Sequence, residues 1–119
     1  MKNGILLMVD YGYAFDYLAI LKVKKELIKS EKNQINYEEC DLFLKDQIND
    51  NQKWNEIKNS KEFNNLVDSN IKTFKAVDLA RYGETTAKHV DNCNMERFNA
   101  KIALQKKFFP ESEVKETKN

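Results

Sequence analysis

The longest unbroken helical pattern in the chain covers residues 85–109, and it constrains the fold more than any other feature. Gly83 precedes this pattern, Thr85 or Thr86 can cap its first amides, and Pro110, the only proline, stops it. With only three glycines among 119 residues, long helices joined by short turns are favoured over a β-sandwich. The sequence therefore predicts an all-α protein.

Four stretches repeat apolar residues at the spacing of an amphipathic helix: residues 11–30, 37–48, 61–82 and 85–109. We predict an antiparallel helical bundle of about four helices, with residues 1–110 forming a single helical domain and residues 111–119 a flexible charged tail. The last two helices are expected to pair as an antiparallel hairpin that turns at Gly83.

Local signals place the ends of these helices. Asp10, Asn36 and Ser60 are predicted N-caps, and Asn36 followed by Glu39 resembles a capping box. Residues 32–35 are predicted to form a turn. Trp54 and Ile57 indicate one helical turn that pins a linker to the core, and residues 5–9 are predicted to be an extended segment packed on the helices.

The composition narrows the class of protein. Hydrophobic residues make up 41% of the chain and charged residues 33%, as in a globular domain. A net charge of +1 provides no electrostatic argument for binding nucleic acid or an anionic membrane. The apolar run at residues 5–9 is too short for a secretory signal or a membrane span. We therefore expect a cytoplasmic protein in which Cys40 and Cys93 stay reduced.

A polar row interrupts the pattern at residues 85–109. Asn94, Arg97 and Lys101 follow one another at spacings of three and four, beside a predicted apolar face. That face holds Met95, Phe98, Ile102 and Phe109, with Gln105 among them. In one interpretation the row lies at the edge of the core and the charged heads of Arg97 and Lys101 reach water. In the other it faces a groove and binds a phosphate or a carboxylate.

Two further polar residues interrupt apolar stripes on other helices. Asp16 lies within the apolar sector of the first helix and is expected to pair with Arg97 or Lys101. Asn70 lies within the apolar stripe of the third helix, where it either fixes the packing register or lines a polar pocket. Five residues are therefore candidates for ligand binding: Asp16, Asn70, Asn94, Arg97 and Lys101.

Motifs for catalysis and metal binding are weak. His89 and Cys93 lie four residues apart and could share a metal, but a zinc site needs three or four ligands. The isolated glycines form no phosphate-binding loop. We assign no catalytic residue, metal or cofactor, and whether the chain is an enzyme stays open.

Two segments resemble a known family. Residues 12–24 carry the pattern Gly-x-x-x-Asp-x-Leu-x-Ile-Leu-x-x-Lys, and residues 94–102 carry Asn-x-x-Arg-x-x-x-Lys. Asn70 and Phe74 are similar to an Asn and an aromatic residue four positions apart in the family's middle helix. The pattern resembles a small uncharacterised helical family found in bacterial surface-polysaccharide gene neighbourhoods and in phages. Residues 115–119 differ from the Lys-Ser-Tyr ending of that family. The resemblance implies a compact helical fold and no particular activity.

These observations favour a non-catalytic module that acts by protein–protein interaction or assembly, either with a protein partner or by self-association as a dimer. The motive is the broad apolar surface of the first helix in a chain without catalytic motifs. The alternative is a nucleotide- or sugar-phosphate-binding protein or enzyme, with a polar site between helices.

Overall fold

A computed structural model describes residues 4–112, and within this range the chain is all-helical and has no strand. Its elements are α1 (Tyr11–Leu27), α2 (Glu31–Ile48), α3 (Asn51–Lys58), α4 (Lys61–Arg81) and α5 (Ala87–Phe108). The predicted all-α class is confirmed, although five helices are present rather than about four. Most of the charged tail predicted at residues 111–119 lies outside the described residues.

Each helix begins at a residue whose side-chain oxygen accepts a hydrogen bond from the backbone N–H three residues later. These N-caps are Asp10, Ser30, Asp50, Ser60 and Thr86. Such a bond satisfies one of the amides that a helix leaves unpaired at its start. The predicted caps Asp10, Ser60 and Thr86 are confirmed.

The start of α2 differs from the prediction. Residues 32–35 lie inside this helix rather than in a turn, so the predicted cap at Asn36 and its capping box are wrong. The break comes earlier, because Ser30 caps α2 and the Asn33 side chain donates to the Ile28 carbonyl at 2.7 Å. The first helix accordingly ends at Leu27 rather than at residue 30.

The helix α3 is longer than the single turn expected around Trp54 and Ile57. Asp50 accepts from the Lys53 amide at 3.0 Å and starts a helix of eight residues. Trp54 and Ile57 are both buried, so they attach this helix to the core as expected.

The helices α4 and α5 form the antiparallel hairpin that the sequence predicts. Lys107 pairs with Glu62 at one end and Lys72 pairs with Glu96 further along. Gly83 adopts a φ of 70°, and the Glu84 amide donates to the Leu79 carbonyl at 3.0 Å, which closes α4 with a Schellman motif.

The helix α1 packs against both helices of the hairpin and also against α2. Its apolar stripe is therefore used within the chain. The core gathers around Phe15, whose ring lies 6.3 Å from Phe63 and 5.8 Å from Trp54. The other buried apolar members of this core are Leu18, Ala19, Val23, Ile57, Leu66, Val67, Leu104 and Phe109.

The helix α2 lies on the outside of this body and contributes no buried residue. Its half-buried face holds Tyr37, Cys40, Leu44 and Ile48, which pack on the core. The ammonium of Lys58, at the end of α3, forms an ion pair with Asp41 and donates to the Tyr37 hydroxyl at 3.1 Å. The same ammonium lies 5.1 Å from the Trp54 ring and 5.8 Å from the Phe63 ring.

Residues 5–9 form neither a helix nor a strand, and their predicted packing on the helices is wrong. All five of these apolar residues are exposed, by 42% at Val9 and by 69–87% at the other four positions. Just after this segment, Tyr11 stacks on Phe109 with ring centroids 3.8 Å apart. We call residues 5–9 the arm.

Candidate functional site

The helices α1 and α5 approach each other closely at Gly12. Its amide donates to Gln105 Oε1 at 2.8 Å, and both residues are buried. A Cβ at this position would lie 2.9 Å from Gln105 Oε1 and 3.0 Å from the Lys101 backbone oxygen. Glycine therefore lets the two backbones meet without a side chain between them.

One helical turn beyond Gly12, Asp16 forms the centre of a polar network. Arg97 Nη2 donates to Asp16 Oδ2 at 2.8 Å, and Arg97 Nε lies 3.1 Å from Oδ1. The Asp16 side chain is 4% exposed and that of Arg97 is 30% exposed. A forked guanidinium–carboxylate pair of this kind combines charge with a fixed geometry, which orients α1 on α5.

Two amides extend the network to a third helix. Asn70 Nδ2, on α4, donates to Asp16 Oδ1 at 2.9 Å and to the Leu66 carbonyl at 3.0 Å. Asn94 Oδ1 accepts from Arg97 Nη1 at 3.4 Å. Asp16 therefore accepts hydrogen bonds from both of the hairpin helices, so the network joins α1, α4 and α5.

Lys101 lies one turn further along α5. The residue is only 5% exposed, which corrects the expectation that its charged head reaches water. Its Nζ lies 5.2 Å from the Phe98 ring and 5.8 Å from the Tyr13 ring, where aromatic faces attract a cation.

The buried residues of α5 lie both on the strip that contains the polar row and on part of the apolar face predicted beside it. Lys101 and Leu104 of the strip are buried, and so are Gln105 and Phe109 of the predicted face, whereas Met95 of that face is exposed. The polar row faces α1 because Asp16 and Gly12 of α1 present hydrogen-bonding groups to this side of α5. Buried polar groups are tolerated where such partners exist.

Four of the five candidate residues thus come together in one network: Asp16, Asn70, Asn94 and Arg97. Sequence reasoning missed Gly12 and Gln105. Their spacing in the sequence is a signal for both. Gly12 lies four residues from Asp16, and Gln105 lies four residues from Lys101, which lies four from Arg97, so each pair shares one face of its helix.

This geometry indicates that the network stabilises the contact between helices. Both Asp16 oxygens accept hydrogen bonds within the chain, and among residues 4–112 every buried side-chain nitrogen or oxygen has a partner. Two shallow depressions lie elsewhere. One, on α4, is lined by Asn65, Asp68, Ser69, Ile71 and Lys72, and the other by Asp50, Gln52, Lys53, Glu56, Lys107 and Phe108.

The two cysteines have different surroundings. Burial raises the pKa of the Cys40 thiol to about 11, and the adjacent Asp41 carboxylate adds to the rise while Lys58 opposes it. The Cys93 Sγ lies 3.8 Å from His89 Nε2. Within residues 4–112 no group of three or more His, Cys, Asp or Glu side chains is arranged to hold a metal ion.

Comparison with protein-family models, with curated proteins and with solved structures gives no match. The family resemblance of residues 12–24 and 94–102 therefore stays a prediction. None of the helices in the described part of the chain combines the length and the apolarity that a membrane crossing needs.

Proposed function

We propose that this chain is a non-catalytic helical module that acts through protein–protein contact. The observation that carries this proposal is the arm, whose five consecutive apolar residues are all exposed. A continuous apolar surface in contact with water is costly and is typical of a surface that a partner covers.

The arm, rather than the apolar stripe of α1, is the exposed apolar surface that supports this function. The apolar stripe of α1 is covered by the chain's own helices. The arm precedes Asp10, the N-cap of α1, and contributes nothing to the core. The polar network supports this proposal indirectly. The Arg97 guanidinium donates hydrogen bonds to Asp16, and this contact stabilises the fold.

The test compares the full chain with a variant whose arm carries charges, Leu6→Asp together with Met8→Asp. Both side chains are exposed, so the melting temperature should stay within about 2 °C of the original. We expect the original chain to form a complex of defined stoichiometry, either with a second copy or with a protein captured from its source cells. The arm variant should lose that complex.

Leu42→Asp is the matched control, because Leu42 is also an exposed leucine but lies on α2. Its complex should persist. If the arm variant keeps every complex that the original chain forms, or if the original chain forms none, the proposal is wrong.

A second function has one specific observation in its favour. The Arg97 side chain is 30% exposed and Asn94 is half-buried, so one edge of the network reaches the surface. An anionic ligand such as a nucleotide or a sugar phosphate could meet that edge. The test is a thermal-shift panel of nucleotides, nucleotide sugars and sugar phosphates. A ligand at 100 times its Kd adds about 2.7 kcal/mol of stability, and an unchanged melting temperature across the panel would remove this alternative.

A further inference from the structure

The arm exposes unpaired backbone groups as well as apolar side chains. Within the part of the chain that the structure describes, residues 5–9 neither donate nor accept a hydrogen bond. Exposed amides and carbonyls bond to water, but a buried one that finds no partner costs about as much as a lost hydrogen bond. A protein that buries the arm must therefore cover its side chains and also pair its backbone.

The arm cannot pair its own backbone by extending α1. Asp10 lies between them in an extended conformation, with φ −72° and ψ 163°, and its side chain accepts a hydrogen bond from the Tyr13 amide at 2.8 Å. Continuing α1 backwards through the arm would break this N-cap. A separate helix of five residues is too short to be stable. Once buried, the arm therefore needs backbone partners from another molecule.

The side chains make an extended arm apolar on both faces. Successive residues of a strand point to opposite faces, so the three odd-numbered residues of the arm form one face, and Leu6 and Met8 form the other. A continuous apolar run of this length, here bounded by Gly4 and Asp10, is typical of a strand that is covered on both faces of its sheet. Five residues span about 17 Å, which is an ordinary strand length.

We infer that the arm is a strand that adds to the open sheet edge of a different protein. This inference rests on the proposed function and names its partner as a protein whose sheet is covered by other elements on both faces. Such an edge presents a row of unpaired N–H and C=O groups to the backbone of the arm, and the covering layers bury both apolar faces. Recognition as a polyproline helix does not apply, because the arm contains no proline.

A second copy of this chain does not present such a surface. Residues 4–112 contain no strand, so this part of the chain has no sheet edge that could receive the arm. Two arms paired with each other would form a two-stranded ribbon with both faces in water, and such ribbons are marginally stable at best. A different protein is therefore the occupant that these observations favour.

The first experiment asks whether binding depends on the backbone of the arm. The protein that the full chain captures from its source cells is identified and purified, and its Kd is measured by calorimetry for variants with proline at position 6, 7 or 8. Leu6→Ala, Leu7→Ala and Met8→Ala are the matched controls, because they shorten the same side chains but keep the amides. All six variants should fold normally, since the arm contributes nothing to the core.

An added strand predicts an alternating result. In an edge strand the amides of alternate residues face the neighbouring strand, and the amides between them face away. We expect proline to weaken binding by at least about 10-fold more than alanine either at both Leu6 and Met8 or at Leu7 alone, because it removes a hydrogen bond at those positions. At the other parity, proline and alanine should weaken binding equally.

The second experiment measures amide hydrogen exchange of the labelled chain in the complex. The amides that are protected should be those at which proline weakens binding, and their neighbours in the arm should exchange faster. The Leu42 amide, on α2, is the control and should exchange at the same rate with and without the partner. Protection that does not alternate along the arm would contradict strand addition.

Three results would overturn the inference and leave the proposed function standing. The first is a ratio of proline effect to alanine effect that is the same at all three positions. The second is a captured partner that has no β-sheet. The third is an arm-dependent complex that consists only of copies of this chain. A chain that forms no arm-dependent complex at all would overturn both the inference and the proposed function.

Discussion

Asp16 and Arg97 lie 81 residues apart in the sequence, yet Oδ2 of one and Nη2 of the other are 2.8 Å apart in the folded chain. The carboxylate is almost completely buried, and Asn70 supplies a further hydrogen bond to it. A buried carboxylate without its cation would keep the cost of desolvation and lose the attraction that offsets it.

Replacement of Arg97 by Met is therefore expected to destabilise the fold by about 2–4 kcal/mol, less than for a fully buried pair because Arg97 is partly exposed. Denaturant unfolding measures this loss. Asp16→Asn with Arg97→Met should cost less than the sum of the two single changes. Lys72→Met is the control, since the Lys72–Glu96 pair is solvent-exposed and should contribute less than about 0.5 kcal/mol. An Arg97→Met variant as stable as the original would contradict the role of this pair.

Gly12→Ala is expected to destabilise the protein, although alanine normally stabilises a helix interior relative to glycine. The new Cβ would meet Gln105 Oε1 and the Lys101 backbone oxygen, so α1 and α5 must separate, at a cost of about 1–3 kcal/mol. Thermal unfolding measures the change. Gly4→Ala serves as the control, because no atom lies within 4 Å of a Cβ there, and it should leave the melting temperature unchanged.

Lys58→Met should loosen α2 more than the rest of the fold. Burial by itself lowers the pKa of Lys58, but hydrogen bonds to Asp41 and Tyr37 outweigh that effect and leave the pKa above its ordinary value. The ammonium is thus charged at neutral pH, and its loss removes the ion pair and the contacts with aromatic rings. We expect a destabilisation of about 1–2 kcal/mol.

Hydrogen exchange can locate that effect. The helix α2 has no buried residue, so its amides should already exchange faster than those of α4. In Lys58→Met the difference should widen. Lys45→Met, at an exposed position of α2, is the matched control, and equal acceleration in both variants would show that Lys58 has no special role.

The Cys40 thiol should react slowly at neutral pH. Because its pKa is raised from 9.0 to about 11, mostly by burial, the nucleophilic thiolate is scarce until the solution is strongly alkaline. Iodoacetamide labelling of Cys40 in a Cys93→Ala background, followed by mass spectrometry, should accelerate steeply as the pH rises towards 11. A labelling rate that reaches its plateau near pH 9 would contradict the raised pKa.

The same shift makes part of the folding free energy dependent on pH. The folded chain holds the Cys40 proton more tightly than the unfolded chain, so the contribution is complete below pH 9 and is lost as the pH rises through about 11. Cys40→Ala should remove this part of the alkaline destabilisation. The comparison with the original chain separates the Cys40 contribution from the titration of lysines and tyrosines in the same alkaline pH range.

Much of the helical structure could be predicted because its causes are local. The caps at Asp10, Ser60 and Thr86 depend on a side chain and an amide three residues away, and Gly83 ends α4 through its own backbone conformation. The start of α2 was missed because Ser30 and Asn36 both precede plausible helices. The contact of Asn33 with the Ile28 carbonyl, at the end of the preceding helix, favours Ser30.

The sequence also singled out the members of the polar network, because charged and amide residues within apolar stripes need partners. It left open whether Asp16 pairs with Arg97 or with Lys101, and it did not identify Gln105 as the acceptor for the Gly12 amide. Those choices depend on how α1 lies across the hairpin, which is decided by contacts between residues that are distant in the chain.

The sequence by itself determined the helices, most of their caps and the polar positions, since all three follow from interactions within a few residues. Only the tertiary structure decided which face of α5 is buried, that the stripe of α1 is used inside the chain, and that the five apolar residues of the arm are exposed. The physical reason is that burial is a property of packed pairs of surfaces. An apolar residue is inside only where the fold brings another surface to cover it.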